Sequence, residues 1–237
     1  MIPGIYDCFK HWSNQGTVWI YSDPHFNDPE QRKMCSKWLD DEEQVKMINA
    51  KVGRKDTLII LGDVGDIEYV KKLRGYKVLI AGNHDAGLSN YKRQVYAKQF
   101  DADKIDKWEA LFAMRKLYPD CKYTIKRGHQ MKFPFEYWEA FADNQLFDEV
   151  YGGALFIGEK IVLSHEPFDI KFALNIHGHD HAEKKNDKYH LNVCSNVIGY
   201  TPINFNKLIK SGPTAHIESI HRVTIDKATK RKKERNR

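Results

Sequence analysis

The sequence predicts an α/β fold built on a parallel sheet with helices on its faces. Short apolar runs of three or four residues recur along the chain and read as buried strands. The first three alternate with helix-length segments, and a β-α-β-α-β order joins parallel neighbours through crossovers. Five runs lead into clusters of Asp, His, Asn and Gly, and open α/β folds place their sites at the carboxyl ends of strands.

The elements follow in order. Val18-Trp19-Ile20-Tyr21 is the first strand and leads into Asp23-Pro24-His25. A helix is predicted from about Glu42 to Val52, where Val45, Ile48 and Val52 fall at helical spacing and Gly53 fits the stop. Asp56 to Leu61 returns as a strand and ends at Gly62-Asp63-Val64-Gly65-Asp66; Ile67 to Leu73 suits a short helix. Tyr76 to Ala81 is the third strand and delivers Gly82-Asn83-His84-Asp85.

The rhythm then breaks. A long segment separates Asp85 from a hairpin of Ala154-Phe156 and Lys160-Leu163 that turns at Gly158. Helical spacing predicts helix within Lys104-Leu117 and again near Tyr137-Phe141. Residues 88–150 therefore read as a helical insertion or cap on a single domain spanning 1–225. Leu163 leads into Ser164-His165-Glu166, and Leu174-Asn175-Ile176 into Gly178-His179-Asp180-His181. A strand about Tyr189 to Cys194 and a short helix over Asn204 to Lys210 follow. From Ile217 a helix is allowed, but residues 226–237 read as a basic, flexible tail.

Composition narrows the class. The chain has 237 residues, 41% hydrophobic, enough for a substantial core. No apolar stretch approaches the ~20 residues of a membrane span, and the amino terminus lacks a signal peptide's apolar core. Cys8, Cys35, Cys121 and Cys194 form no C-x-x-C pair, so reduced thiols in a cytoplasm are expected rather than disulfides or a zinc knuckle. The net charge of +6 is concentrated: residues 226–237 carry seven Lys or Arg against two acids, and the remainder holds 31 basic and 30 acidic side chains. Residues 88–135 are also basic, with eleven cationic and five acidic side chains and nine aromatics. No Gly-x-Ser-x-Gly elbow and no Gly-Lys-Ser/Thr loop occurs, which argues against a serine hydrolase and a P-loop enzyme.

Carboxylate, imidazole and amide groups are the ligands that hard and borderline divalent metals prefer. Singly, each cluster has an ordinary reading: an Asp after a strand is usually a turn former or a helix cap. Five in fixed order, each behind its own strand, point to a two-metal hydrolase. The set D-x-H, G-D-x-x-D, G-N-H-D, His, G-H-x-H resembles the calcineurin-like metallophosphoesterase family, here over residues 23–181.

That resemblance implies a four-layer α/β/β/α sandwich and hydrolysis of phosphomonoesters or phosphodiesters by a metal-bridging hydroxide. Two divalent ions are implied as cofactors, manganese, iron or zinc, with manganese favoured. Asp23, His25 and His181 match the ligands of one ion; Asn83, His165 and His179 match those of the other; Asp63 matches the bridging carboxylate. His84 matches the imidazole placed over the scissile phosphate, and Asp85 the acid that orients it. Asp66 and His177 are weaker candidates for orienting partners. Gly62, Gly82 and Gly178 are expected at tight turns that allow close approach.

Three alternatives accompany this reading. A nuclease or cyclic-nucleotide phosphodiesterase would use the basic, aromatic-rich insertion and tail, because aromatics stack on bases while Lys and Arg neutralise phosphates. The plain alternative for that insertion is a packed cap with solvated charges. A non-catalytic scaffold should show gaps in the ligand set, and none is present.

Overall fold

The computed structural model describes residues 12, 16–35, 37–85, 91, 94–119, 121–130, 135–144, 146–182 and 187–235. The chain divides into two compact units, Met1–Leu88 with Glu149–Arg237, and Ser89–Asp148. In chain order the elements are β1 (Val18–Tyr21), α1 (Pro29–Met34), α2 (Asp41–Lys51), β2 (Thr57–Ile60), α3 (Ile67–Lys72), β3 (Tyr76–Ile80) and β4 (Gln94–Asp101). Then come α4 (Lys107–Leu117), β5 (Lys122–Gln130), β6 (Phe135–Asn144), β7 (Glu149–Tyr151), β8 (Leu155–Ile157) and β9 (Ile161–Leu163). The last are β10 (Leu174–His177), β11 (His190–Asn192), β12 (Ile203–Asn204), α5 (Phe205–Lys210) and α6 (Ile220–Arg235).

The first unit contains two sheets. Strand order in one is β12-β1-β2-β3-β7, parallel apart from β12, and in the other β11-β10-β9-β8. Leu58, Ile59 and Ile60 are all fully buried, the continuous apolar run expected of a parallel strand covered on both faces. Alternation then assigns the faces. Val18 and Ile20, Ile59 and Leu61, Val78 and Ile80 enter one hydrophobic cluster with Ile161, Leu163, Leu174 and Ile176 of the second sheet. Truncating Ile59 to Ala there would cost about 2–5 kcal/mol.

Helices α1 to α4 each start at a carboxylate cap. Asp40 accepts the N–H groups of Glu42 and Glu43 at the head of α2, which buries Val45 and Ile48. Asp28 caps α1, with Pro29 at its first position. Asp66 caps α3 by accepting from Glu68 N, so its local role is a helix cap.

The second unit corrects the expectation of a helical insertion. It is an antiparallel sheet of order β4-β6-β5 with the single helix α4 among its described residues. Residues Tyr137–Phe141 lie inside β6, not in a helix. Their spacing suits a helix locally, but β4 and β5 flank this segment and pair with it, Phe141 standing opposite both Ala97 and Thr124. The period of two then buries Ala140 and Ala142 against Met114 of α4. Only the α4 half of the prediction is realised, fixed by a reciprocal Asp106–Glu109 capping box.

The basic carboxyl-terminal segment also departs from expectation: α6 continues through it to Arg235, with no buried residue. Lys, Arg and Ala are good helix formers, and an Arg222–Asp226 pair one turn apart adds to them. Among the described residues no helix is long and apolar enough to cross a membrane. Cys35, Cys121 and Cys194 carry free thiols; Cys8 lies outside the described residues.

Candidate metal centre

The strand ends deliver the candidate ligands to one place, and the backbone is bent to do it. Asp23 (φ 53°), His25 (φ 43°), Asp63 (φ 49°) and His179 (φ 67°) all occupy the left-handed region that side chains rarely adopt. Four such residues in one ligand set mark a site where local strain is held by its surroundings. Two glycines make room for the carboxylates. A Cβ on Gly82 would sit 2.3 Å from Asp63 Oδ1, and one on Gly178 would sit 2.1 Å from Asp23 Oδ2. A side chain at either position would displace a ligand.

Two groups of donor atoms result, Asp23 with His25 and His181, and Asp63 with His165 and His179. In the first, His25 Nε2 and His181 Nε2 are 3.3 Å apart, and Asp23 Oδ1 lies 3.6 Å from His181 Nε2. In the second, His165 Nε2 is 3.1 Å from His179 Nδ1 and 2.8 Å from Asn83 Oδ1. Asp63 Oδ2 belongs to both, 3.7 Å from His25 Nε2 and 3.3 Å from His165 Nε2. All seven candidate residues are thus brought together: Asp23, His25 and His181 form one triad, Asp63 takes the carboxylate place in the other with His165 and His179, and Asn83 stands beside His165.

The far sides of three of these imidazoles are tied down. His25 Nδ1 donates to Asp28 Oδ2 at 2.9 Å, His181 Nδ1 to Asn196 Oδ1 at 3.1 Å, and His165 Nδ1 to the Leu61 carbonyl at 2.8 Å. Those bonds leave Nε2 of each ring directed at the centre, the orientation that outer hydrogen bonds impose on metal-binding histidines. Asp23 is held in the same way. It accepts from the His179 N–H at 3.0 Å, from the Cys194 thiol at 3.3 Å and from the Ser22 hydroxyl. Burial and the adjacent Asp23 push the Cys194 thiol pKa far up, so it remains a donor. Trp38 packs edge-on against the His25 and His181 rings, 6.0 and 5.6 Å between centroids.

Sequence reasoning missed Ser22, Asp28, Trp38, Cys194 and Asn196. Asp28 had a readable signal, a cap followed by proline, but one oxygen caps α1 while the other holds His25. Burial opposes ionisation of Asp28, yet the amides of Gln31 and Glu30 and the His25 ring hold its pKa below the usual carboxylate value. Asn196 and Cys194 follow no spacing rule, since only the folded loops bring them to the site.

The remaining candidates are placed as follows. His84 is exposed, its N–H donates to Asp63 Oδ1 at 2.9 Å, and its ring lies 5.5 Å from that of His25. With His25, Asp63, His179 and His181 it lines a cleft of about 110 Å³. Asp85 is buried and accepts three main-chain N–H groups, from Gly82 at 2.8 Å, Asp63 at 2.9 Å and Val64 at 3.1 Å. His177 is buried too, with Nδ1 donating to the Gly178 carbonyl.

The donor set fits divalent ions on its own chemistry. Imidazole nitrogens 3.1–3.3 Å apart beside two buried carboxylates make a set of donors that a divalent cation would satisfy. Without an ion a proton takes that place: burial alone would lower the His165 pKa, but the Asp63 hydrogen bond and the Asp23 and Asp63 charges raise it to about 9. Asp63 answers in kind. Its burial opposes ionisation, and the His165 bond and charge outweigh that to lower its pKa.

A mixed α/β body with metal-type Asp/His triads at its strand ends defines a metallophosphoesterase fold. The family model described as calcineurin-like phosphoesterase matches residues 16–198, and the chain belongs to that family. Membership and the two triads together support a metal-dependent phosphoesterase. No curated protein gave a significant match. Among solved structures, the protein of unknown function AQ665 from Aquifex aeolicus is similar, at 19% identity and TM-score 0.48, covering 82% of this chain and 98% of that one.

Proposed function

We propose that the protein hydrolyses phosphate esters at a centre of two divalent ions bridged by Asp63. The observation that carries this is the position of Asp63 Oδ2, within 3.7 Å of a nitrogen from each triad. Asp23, His25 and His181 would hold one ion, and Asn83, His165 and His179 the other. Such ions, with manganese favoured, supply electrophilic contacts to a phosphoryl oxygen and acidify a bound water.

The chain's own groups supply the rest. Neutral imidazoles and one amide limit the negative charge around the ions, so a phosphate dianion is not repelled. His84 stands exposed in the cleft, free to reach the phosphoryl group and give a proton to the departing oxygen. Asp85 serves it through the main chain, by fixing the loop between Gly82 and Asp85. The imidazole partners Asp28, Asn196 and Leu61 keep the ligand rings oriented as substrate enters.

The test is removal and return of metal. Chelated protein assayed on nitrophenyl phosphate and bis(nitrophenyl) phosphate should be inactive, with turnover restored best by manganese or another transition ion. Full activity in metal-free protein would sink the two-ion reading.

A second reading, a nuclease, draws on the second unit. Trp108 and Phe112 of α4 are each 71% exposed, and Lys107 lies over the Trp108 ring. That face suits stacking on bases with phosphates neutralised alongside. Salt-dependent binding of single-stranded DNA, lost in Trp108→Ala, would favour it.

A further inference from the structure

A second cleft, of about 250 Å³, borders the centre from the Asn83 and His165 side. It is separate from the cleft that His84 lines, yet both reach the same ligand set. Where Gly152 and Gly153 line it, it presents main chain instead of side chains. A Cβ on Gly153 would meet nothing within 4 Å, so this glycine is not required by packing.

Phe168 also lines this cleft, and the residue is 41% exposed. The loop that carries it is pinned at three points. Ser164 Oγ donates to the Glu166 carbonyl at 2.6 Å, Phe168 N donates to Asn175 Oδ1 at 2.6 Å, and His190 Nε2 lies 3.1 Å from the Phe168 carbonyl. Asn175 is fully buried, and its amide also donates to Ser164 Oγ at 2.8 Å and to the Val162 carbonyl at 3.3 Å. A buried polar network is costly to install, and here it holds an apolar ring out in solvent beside a candidate ligand pair. That is the arrangement of a stacking platform, because an aromatic face on a fixed backbone loses little entropy on binding a flat group.

We infer that Phe168 is a specificity-determining residue, and that the preferred substrates are phosphodiesters whose retained substituent carries a planar ring. The inference rests on the two-ion hydrolase reading and extends it to the substrate class. Two clefts accommodate two ester substituents. The one beside His84 takes the leaving side, where a proton is needed; the one lined by Phe168 takes the substituent that stays on phosphorus. Water adds its oxygen to phosphorus and releases one proton to solvent, the bond to the leaving oxygen breaks, that oxygen departs as the alcohol with a proton from His84, and His84 regains its proton from solvent. The ring-bearing phosphomonoester is the other product.

The experiment compares esters that share one leaving group. Manganese-loaded full-length protein is assayed on thymidine 5′-(4-nitrophenyl phosphate), on its abasic deoxyribose analogue, and on methyl 4-nitrophenyl phosphate. The thymidine ester should exceed the other two in kcat/KM by about tenfold or more, the scale of base–aromatic stacking. In Phe168→Ala that ratio should fall toward one, and Phe168→Tyr should restore it. Gly153→Leu, which enters open space, should also lower the ratio. Equal kcat/KM for the three esters in the unmodified protein, or a Phe168→Ala loss that is the same for all three, overturns the inference and leaves the hydrolase reading standing. Turnover of none of them defeats both.

Discussion

The carboxylate of Asp85 accepts the main-chain N–H of Asp63 at 2.9 Å, joining the loop after β3 to the loop after β2. The same oxygen accepts from Gly82 at 2.8 Å, and its partner accepts from Val64 at 3.1 Å. One buried side chain thus fixes the backbone that aims Asp63, Asn83 and His84. Replacing it by Asn would substitute an N–H donor for one acceptor and face it toward another donor. Asp85→Asn should be destabilised by about 1–3 kcal/mol in urea denaturation, with weakened metal binding. Unchanged stability would show that the loops do not depend on this carboxylate.

Asp63→Asn should be more damaging than any single change among His25, His165 and His181. Asp63 Oδ2 lies near both triads, so its loss weakens both at once. Metal analysis after manganese loading is the check, and two tightly bound ions in the variant would remove the bridging assignment.

The stability of metal-free protein should depend on pH through His165. Its folded pKa, raised to about 9, lies above the ~6.5 of an unfolded chain. A raised pKa means that the folded state holds the proton more tightly, so the contribution is fully present below ~6.5 and is lost as pH climbs to about 9. Urea midpoints of chelated protein should therefore fall between pH 6.5 and 9.5. Metal-loaded protein should lack this fall, since the ion replaces the proton.

His84→Ala should keep both ions and lose turnover by ~10²–10⁴-fold, the range of a positioned acid–base group. The loss should be smaller for a nitrophenolate leaving group than for an alkoxide, which must be protonated. Equal losses would leave His84 as an electrostatic contact to the phosphate.

Deleting residues 230–237 should leave hydrolysis of a small ester almost unchanged. No residue of α6 is buried, and the helix contributes nothing to the described centre. Loss of small-substrate turnover in the truncated protein is the result that would tie this segment to catalysis.

That the seven candidate ligands would meet was legible in the sequence because each follows an apolar run, and a parallel sheet gathers the ends of its strands at one edge. Asp23, Asp63 and Asn83 needed only that local rule. The helix at Asp41–Lys51 and the hairpin at Gly158 were legible for the same reason, since caps, spacing and turn residues act over a few positions. Tyr137–Phe141 was not legible, because its strand exists through pairing with β5 just upstream and β4 further back, which the segment's own residue spacing does not report. The same holds around the ligands. Asp28 and Asn196 orient His25 and His181, Cys194 steadies Asp23 across 171 residues, and Asp85 spends its oxygens on main chain. Which atoms can coordinate was fixed by residue type and order along the chain; where they point was decided by contacts that form only when distant loops close on one another.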